Sequence, residues 1–104
     1  MTTANPIKLP GCFHWAEEAG NRWCLYLDEV PVLEIRQQRE GWIVHVYLCD
    51  ESSPQPDVAV RSVAAGMRWG ARWTKQRAPQ LTVLAARRRV EAALIPMVAE
   101  AVTL

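Results

Sequence analysis

The sequence lacks the long apolar run that a membrane-spanning helix requires. No stretch approaches the roughly 20 apolar residues needed to cross a bilayer, and the opening MTTANPIKLPG contains no apolar core of a secretory signal. Cysteine is also scarce, since Cys12, Cys24 and Cys49 are odd in number and form no CxxC pair. These absences predict a cytoplasmic protein whose cysteines are reduced thiols.

Catalytic and cofactor motifs are lacking as well. The chain contains no glycine-rich phosphate loop, no Walker motif and no GxSxG. Its only histidines are His14 and His45, and no His/Cys spacing supplies the four ligands of a zinc site. A Cys–His nucleophile would need Cys12 or Cys49 beside one of these histidines, with an acid to orient it. We therefore predict no enzyme activity, no cofactor and no metal.

Acidic side chains are absent from residues 58–90, which carry eight basic groups. Residues 1–57 have four basic and nine acidic groups, and residues 91–104 add two acids, so that the whole chain has a formal charge of +1. Such asymmetry is typical of a nucleic-acid-binding surface. It equally suits a dimer in which the acidic half of one chain meets the basic half of another.

The residues that are present predict a single α+β domain over residues 1–104, with residues 1–10 as a flexible N-terminal tail. The segments RWCLYL (22–27), VPVLEIRQQ (30–38) and WIVHVYLC (42–49) are β-rich and separated by short turns, which indicates antiparallel neighbours. CFHWAE (12–17) predicts a fourth strand. The predicted fold is an antiparallel three- or four-stranded meander over residues ~12–49, followed by two helices packed on one face.

The two helices are predicted at residues ~57–77 and ~85–102. Asp57 suits an N-cap and Pro79 a stop signal for the first helix. LTVL (81–84) fits a short strand as well as a helix. Apolar residues recur at helical spacing in the second helix: Val90, Leu94, Met97, Val98, Ala101 and Val102. The predicted core contains Leu25, Leu27, Val44, Val46, Val60, Ala64 and Met67, with Val90, Leu94 and Val98 against them.

The first predicted helix has two apolar sides and one basic stripe. At about 100° per residue, Val60, Ala64 and Met67 share a side that we expect to pack on the sheet. Trp69 and Trp73 share another side with Gly66 and Gly70, which we expect to pack against the second helix or a second subunit. The basic stripe comprises Arg61, Arg68, Arg72 and Lys75.

Two interpretations of this helix remain open. In the first, both indoles are buried and the arginines are solvated or pair with acids of a partner. In the second, exposed indoles stack on bases while the basic stripe neutralises phosphates, and Arg87, Arg88 and Arg89 extend that surface if the second helix folds back. The candidate nucleic-acid or partner-binding residues are Arg61, Arg68, Trp69, Arg72, Trp73, Lys75, Arg87, Arg88 and Arg89.

The sheet face opposite the helices is a further candidate. Strand alternation places Cys24 and Tyr26 on that face, with His45, Tyr47, Arg36 and Glu34 nearby. Such a platform can stack bases, but the acidic balance of this half favours an ordinary wet sheet face or a dimer interface. The predicted function is a small non-enzymatic interaction module that self-associates or binds a protein partner, with nucleic-acid binding as the alternative.

Overall fold

A computed structural model describes the backbone of Leu9 and residues 11–103, and the side chains of Leu9 and residues 11–93. The described elements are β1 Phe13–Glu18, β2 Arg22–Leu27, β3 Val30–Gln38, β4 Gly41–Val46, β5 Val58–Val60 and α1 Val63–Thr103. The α+β class is therefore confirmed. The predicted tail, residues 1–10, lies outside the described residues apart from Leu9.

The five strands form one antiparallel sheet in the order β1-β2-β3-β4-β5. The predicted meander is present with four strands between residues 13 and 46. Tight turns join them, and Asp28 and Arg39 adopt left-handed φ values of 54° and 57° there. The sequence prediction missed β5, which pairs with β4 through Val58 and Val60.

A single helix replaces the two that were predicted. Residues 57–62 are not helical, and α1 begins after Ser62, whose Oγ accepts a hydrogen bond from the amide of Ala65 at 3.1 Å. The helix then continues through Pro79 and through residues 81–84. A proline inside a helix costs about 3 kcal/mol. Trp73 and Leu81, on either side of it, are buried against the sheet, and burying large apolar side chains contributes about 1.5–3 kcal/mol each, which offsets that cost.

The glycine side of α1 makes the closest approach to the sheet, and the side of Val60 and Met67 that the sequence predicted packs there only in part: Ala71 is buried, and Met67 and Ala78 lie at the edge of the core. A Cβ on Gly66 would lie 3.1 Å from side-chain atoms of Ile35, and one on Gly70 would lie 3.2 Å from Trp15. The two glycines therefore allow close approach of helix and sheet.

Most of the predicted core is correct where it falls on the sheet. The strand residues of that prediction are all buried: Leu25, Leu27, Val44 and Val46. Val60 and Met67 are half-buried at the edge of the core. Ala64 is exposed because it faces away from the sheet, and Val90 is 58% exposed because it lies on the opposite side of α1 from the buried residues Leu81 and Ala85. The side chains of Leu94 and Val98 lie outside the described residues.

Candidate functional site

The outer face of α1, directly opposite the sheet, is basic in its first half. Arg68, Arg72 and Lys75 are exposed there and form no ion pair within the part of the chain that the structure describes. We call these three residues the basic stripe. Arg61 was predicted to belong to it, but Arg61 lies in the turn between β5 and α1 and so lacks the helical register of the others.

The two tryptophans of α1 stack on one another and not on an open surface. Their ring centroids are 6.2 Å apart with an interplanar angle of 13°. Trp73 is only 6% exposed in the core, donates from Nε1 to Oε1 of Gln55 at 3.2 Å, and lies under the guanidinium of Arg77. Trp69 is half-buried beside it. Trp73 therefore packs against the sheet, and not against a second helix as predicted.

The predicted cluster of Arg87, Arg88 and Arg89 does not form one surface. Arg89 donates from Nε to Glu29 at 2.6 Å and from Nη2 to Asp28 at 3.2 Å, which ties α1 to the β2–β3 turn. The hydrogen bond to Glu29 raises the pKa of Arg89. Arg87 and Arg88 are exposed. Consecutive helical residues point about 100° apart, and α1 does not fold back. Arg87 therefore lies on the outer face, whereas Arg88 and Arg89 lie on other sides of α1 and do not extend the basic stripe.

The second half of the outer face of α1 is apolar. Val83 and Val90 are each 58% exposed, and they lie seven residues apart with Arg87 between them. In the sequence the same alternation of four and three residues continues at Leu94, Met97 and Ala101. We call these six positions the outer stripe. The sequence interpretation missed it because the expected break at Pro79 assigned Val83 to a different element.

Among the side chains that the structure describes, α1 is less covered after residue 85. Leu81 and Ala85 are buried against the sheet, whereas Arg88 and Ala92, which continue the same side of α1, are exposed. Residues 90–103 thus extend about 20 Å, at 1.5 Å per residue, beyond Arg89, whose ion pairs with Asp28 and Glu29 are the last between α1 and the sheet among the described side chains.

The open face of the sheet carries the residues that strand alternation predicted. Cys24 pairs with Glu34, and Glu34 pairs with His45. The carboxylate of Glu34 is 3% exposed and accepts from Arg36 at 3.0 Å, while Arg22 Nε lies 3.4 Å away on its other side. Arg22 is the member that the sequence interpretation missed. This acid is therefore neutralised by two half-exposed guanidinium groups.

Aromatic pairs flank this charged centre. His14 and Tyr26 stack with centroids 5.6 Å apart, and His45 meets Tyr47 edge-on at 4.9 Å. Tyr47 is 38% exposed, and partial burial of its side chain, followed by the influence of Glu34, raises the pKa of Tyr47 to about 12. His45 Nδ1 also lies 2.7 Å from Asp57 Oδ1. The rings are therefore engaged with each other and with their neighbours.

The chemistry of the cysteines follows from their surroundings. Burial raises the pKa of Cys24, which favours the neutral thiol over the nucleophilic thiolate. Among the described residues no three His, Cys, Asp or Glu side chains are grouped so that they could hold a metal ion. Within that same part of the chain, no helix is both long enough and apolar enough to cross a membrane.

Comparison of the chain with models of protein families, with curated proteins and with solved structures finds no match in any of the three.

Proposed function

We propose that the protein is a small non-enzymatic interaction module that binds an α-helical protein partner along the outer stripe of α1. The observation that carries this proposal is the exposure of Val83 and Val90, 58% each, on a helix that extends beyond its own sheet.

Two physical arguments support this surface. A regular alternation of four and three residues between apolar positions is the seam that one helix presents to another in a coiled coil. Most helical stability in proteins comes from packing of one face, and Ala92, on the side of α1 that meets the sheet earlier in the helix, is exposed, so the end of α1 gains stability from a packing partner. A partner helix along the outer stripe provides both the complementary seam and this packing.

The absence of enzyme activity is part of the proposal. Cys24 and His45 are both cross-strand partners of Glu34, so two strand spacings, about 9–10 Å, separate them. That distance is too long for a thiol–imidazole pair, which needs hydrogen-bond reach. A cytoplasmic location is also part of the proposal, and the free thiols of Cys12, Cys24 and Cys49 support it.

The proposal is tested by placing the photo-cross-linking residue benzoylphenylalanine at position 90 in cells that express the chain. Irradiation should give a protein adduct of discrete mass, and the added change Val83→Asp should abolish it. The matched control carries the same residue at position 92, which is exposed but lies on the opposite side of the helix. Equal adducts at both positions, or none at position 90, would refute this docking surface.

Nucleic-acid binding is the second candidate, and it is favoured by the basic stripe, which forms no ion pair with any residue that the structure describes. Because Trp73 is buried, the version in which both indoles stack on bases is abandoned. In the remaining version Arg68, Arg72 and Lys75 contact phosphates, with affinity that falls steeply with salt, and only the half-buried Trp69 is left to stack on a base.

Titration of a labelled single strand and a labelled duplex at two salt concentrations tests this candidate. Replacing Arg68 and Arg72 by alanine should lower the salt dependence by about two phosphate contacts. Arg88→Ala, exposed on the opposite side of α1, is the control and should leave the slope unchanged. If the affinity and its salt dependence are unchanged when Arg68 and Arg72 are replaced, or if nothing binds at low salt, nucleic-acid binding by this helix is excluded.

A further inference from the structure

We infer that the helix bound by the outer stripe is α1 of a second copy of this chain, in antiparallel orientation. This inference rests on the proposed function, because it names the partner of the same surface.

The first argument is that the outer stripe is complementary to itself. An antiparallel pair centred near residue 92 places position 90 opposite position 94 and position 83 opposite position 101. These pairs are Val with Leu and Val with Ala. Each pair occurs twice across a two-fold axis, as an isologous dimer requires.

The position of Arg87 within the stripe selects the orientation. In a parallel pair, Arg87 would face its own copy in the seam, and two like charges would meet where water is excluded. In the antiparallel pair, position 87 faces position 97, which is Met97. The aliphatic stem of Arg87 then lies along the seam opposite an apolar position, while its charged end reaches water.

The basic stripe gives a second reason for the same orientation. Arg68, Arg72 and Lys75 lie on the outer face, before the outer stripe begins. A parallel pair would set six such charges side by side. An antiparallel pair places the two copies of Arg72 about 60 Å apart along the helix axes, far beyond the screening length of about 8 Å at physiological salt.

The geometry of the rest of the chain permits this pairing. The outer stripe lies opposite the glycine side of α1, which is filled by the sheet through Ile35 and Leu33. The two sheets therefore lie on the far sides of the helix pair and do not obstruct it. The dimer is layered as sheet, helix, helix and sheet, and each projecting segment 90–103 packs along the partner's helix.

The experiment is sedimentation equilibrium of the purified full chain, with the variants Val90→Asp and Ala92→Asp. The wild type should be a dimer at micromolar concentrations. Val90→Asp should raise the dissociation constant by at least about a hundredfold, since two valines leave the seam and two buried carboxylates enter it. Ala92→Asp adds the same charge on the opposite side and should remain dimeric, and circular dichroism should show that both variants are folded.

Orientation is read from cross-linked peptides. Benzoylphenylalanine at position 83 of the purified protein should attach near residue 101 of the other copy, whereas attachment near residue 83 would overturn the antiparallel order. A wild type that stays monomeric at high micromolar concentration would overturn the inference. The two failures are distinguishable: a monomer that still forms an adduct from position 90 in cells overturns only the self-pairing, whereas no adduct from position 90 overturns the proposed function.

Discussion

The hydroxyl of Thr74 provides the sharpest test of how α1 packs on the sheet. Thr74 is fully buried, with 0% exposure, and its Oγ1 is the buried side-chain oxygen for which the described residues supply no hydrogen-bond partner. Leaving a buried polar group unsatisfied costs about 1–3 kcal/mol. Replacement by valine keeps the branched shape and removes the unsatisfied group, so Thr74→Val should raise the free energy of unfolding by about 1–2 kcal/mol.

Thr82 offers a matched control on the same helix. Its hydroxyl is exposed and donates to the carbonyl of Ala78 at 2.9 Å. Thr82→Val should therefore leave the stability unchanged or lower it slightly. Urea unfolding at one fixed protein concentration measures both variants, because association would otherwise shift the midpoint. If Thr74→Val is neutral or destabilising, the hydroxyl has a partner, and the packing argument for this part of α1 is wrong.

Two further predictions concern the glycine side of α1 and the open sheet face. Gly66→Ala should lower the free energy of unfolding by about 1 kcal/mol: the new methyl meets buried Ile35 at 3.1 Å, and overpacking costs more than the roughly 1 kcal/mol gained in helix propensity. A more stable variant in urea unfolding would contradict the close approach. The phenol of Tyr47 should ionise near pH 12 in an absorbance titration, and Tyr47→Phe should remove that step. Folding raises the pKa of the Tyr47 phenol. Its contribution to the free energy of unfolding is therefore complete below the unfolded pKa of about 10 and is lost as the pH rises from 10 to 12. Tyrosine ionisation complete near pH 10 would contradict the effect of partial burial and of Glu34 on the phenol of Tyr47.

The sheet was predictable because its information is local. Alternation in β2 and β4 assigns Leu25 and Val44 to the buried face and Cys24 and His45 to the open face, and the structure agrees. The short turns then fix which strands are neighbours. In contrast, β5 has only three residues, and a polar loop separates it in sequence from β4, its partner. So short a segment has no clear alternation, and the sequence after Asp57 therefore predicts the beginning of a helix.

The helix shows where local signals fail. Pro79 predicted a stop, but burial of Trp73 and Leu81 against the sheet on either side of it outweighs the lost hydrogen bond. The free-energy cost of a proline inside a helix can be estimated from the sequence alone. The compensating burial cannot, because it depends on how α1 packs on the sheet. The missed continuity had a second effect, because it divided the outer stripe between two elements and hid its seven-residue spacing.

The two glycines explain why association had been assigned to the wrong side of α1. Spacing such as that of Gly66 and Gly70 indicates close approach of a neighbour, but it does not say whether the neighbour belongs to the same chain. The structure assigns both positions to contacts with Ile35, Leu33 and Trp15, so that side has no room for a second subunit. Any helix that associates with α1 must therefore use the opposite face. On that face the basic stripe repels a like-charged copy, and the apolar positions from Val83 onward offer the area that pairing requires.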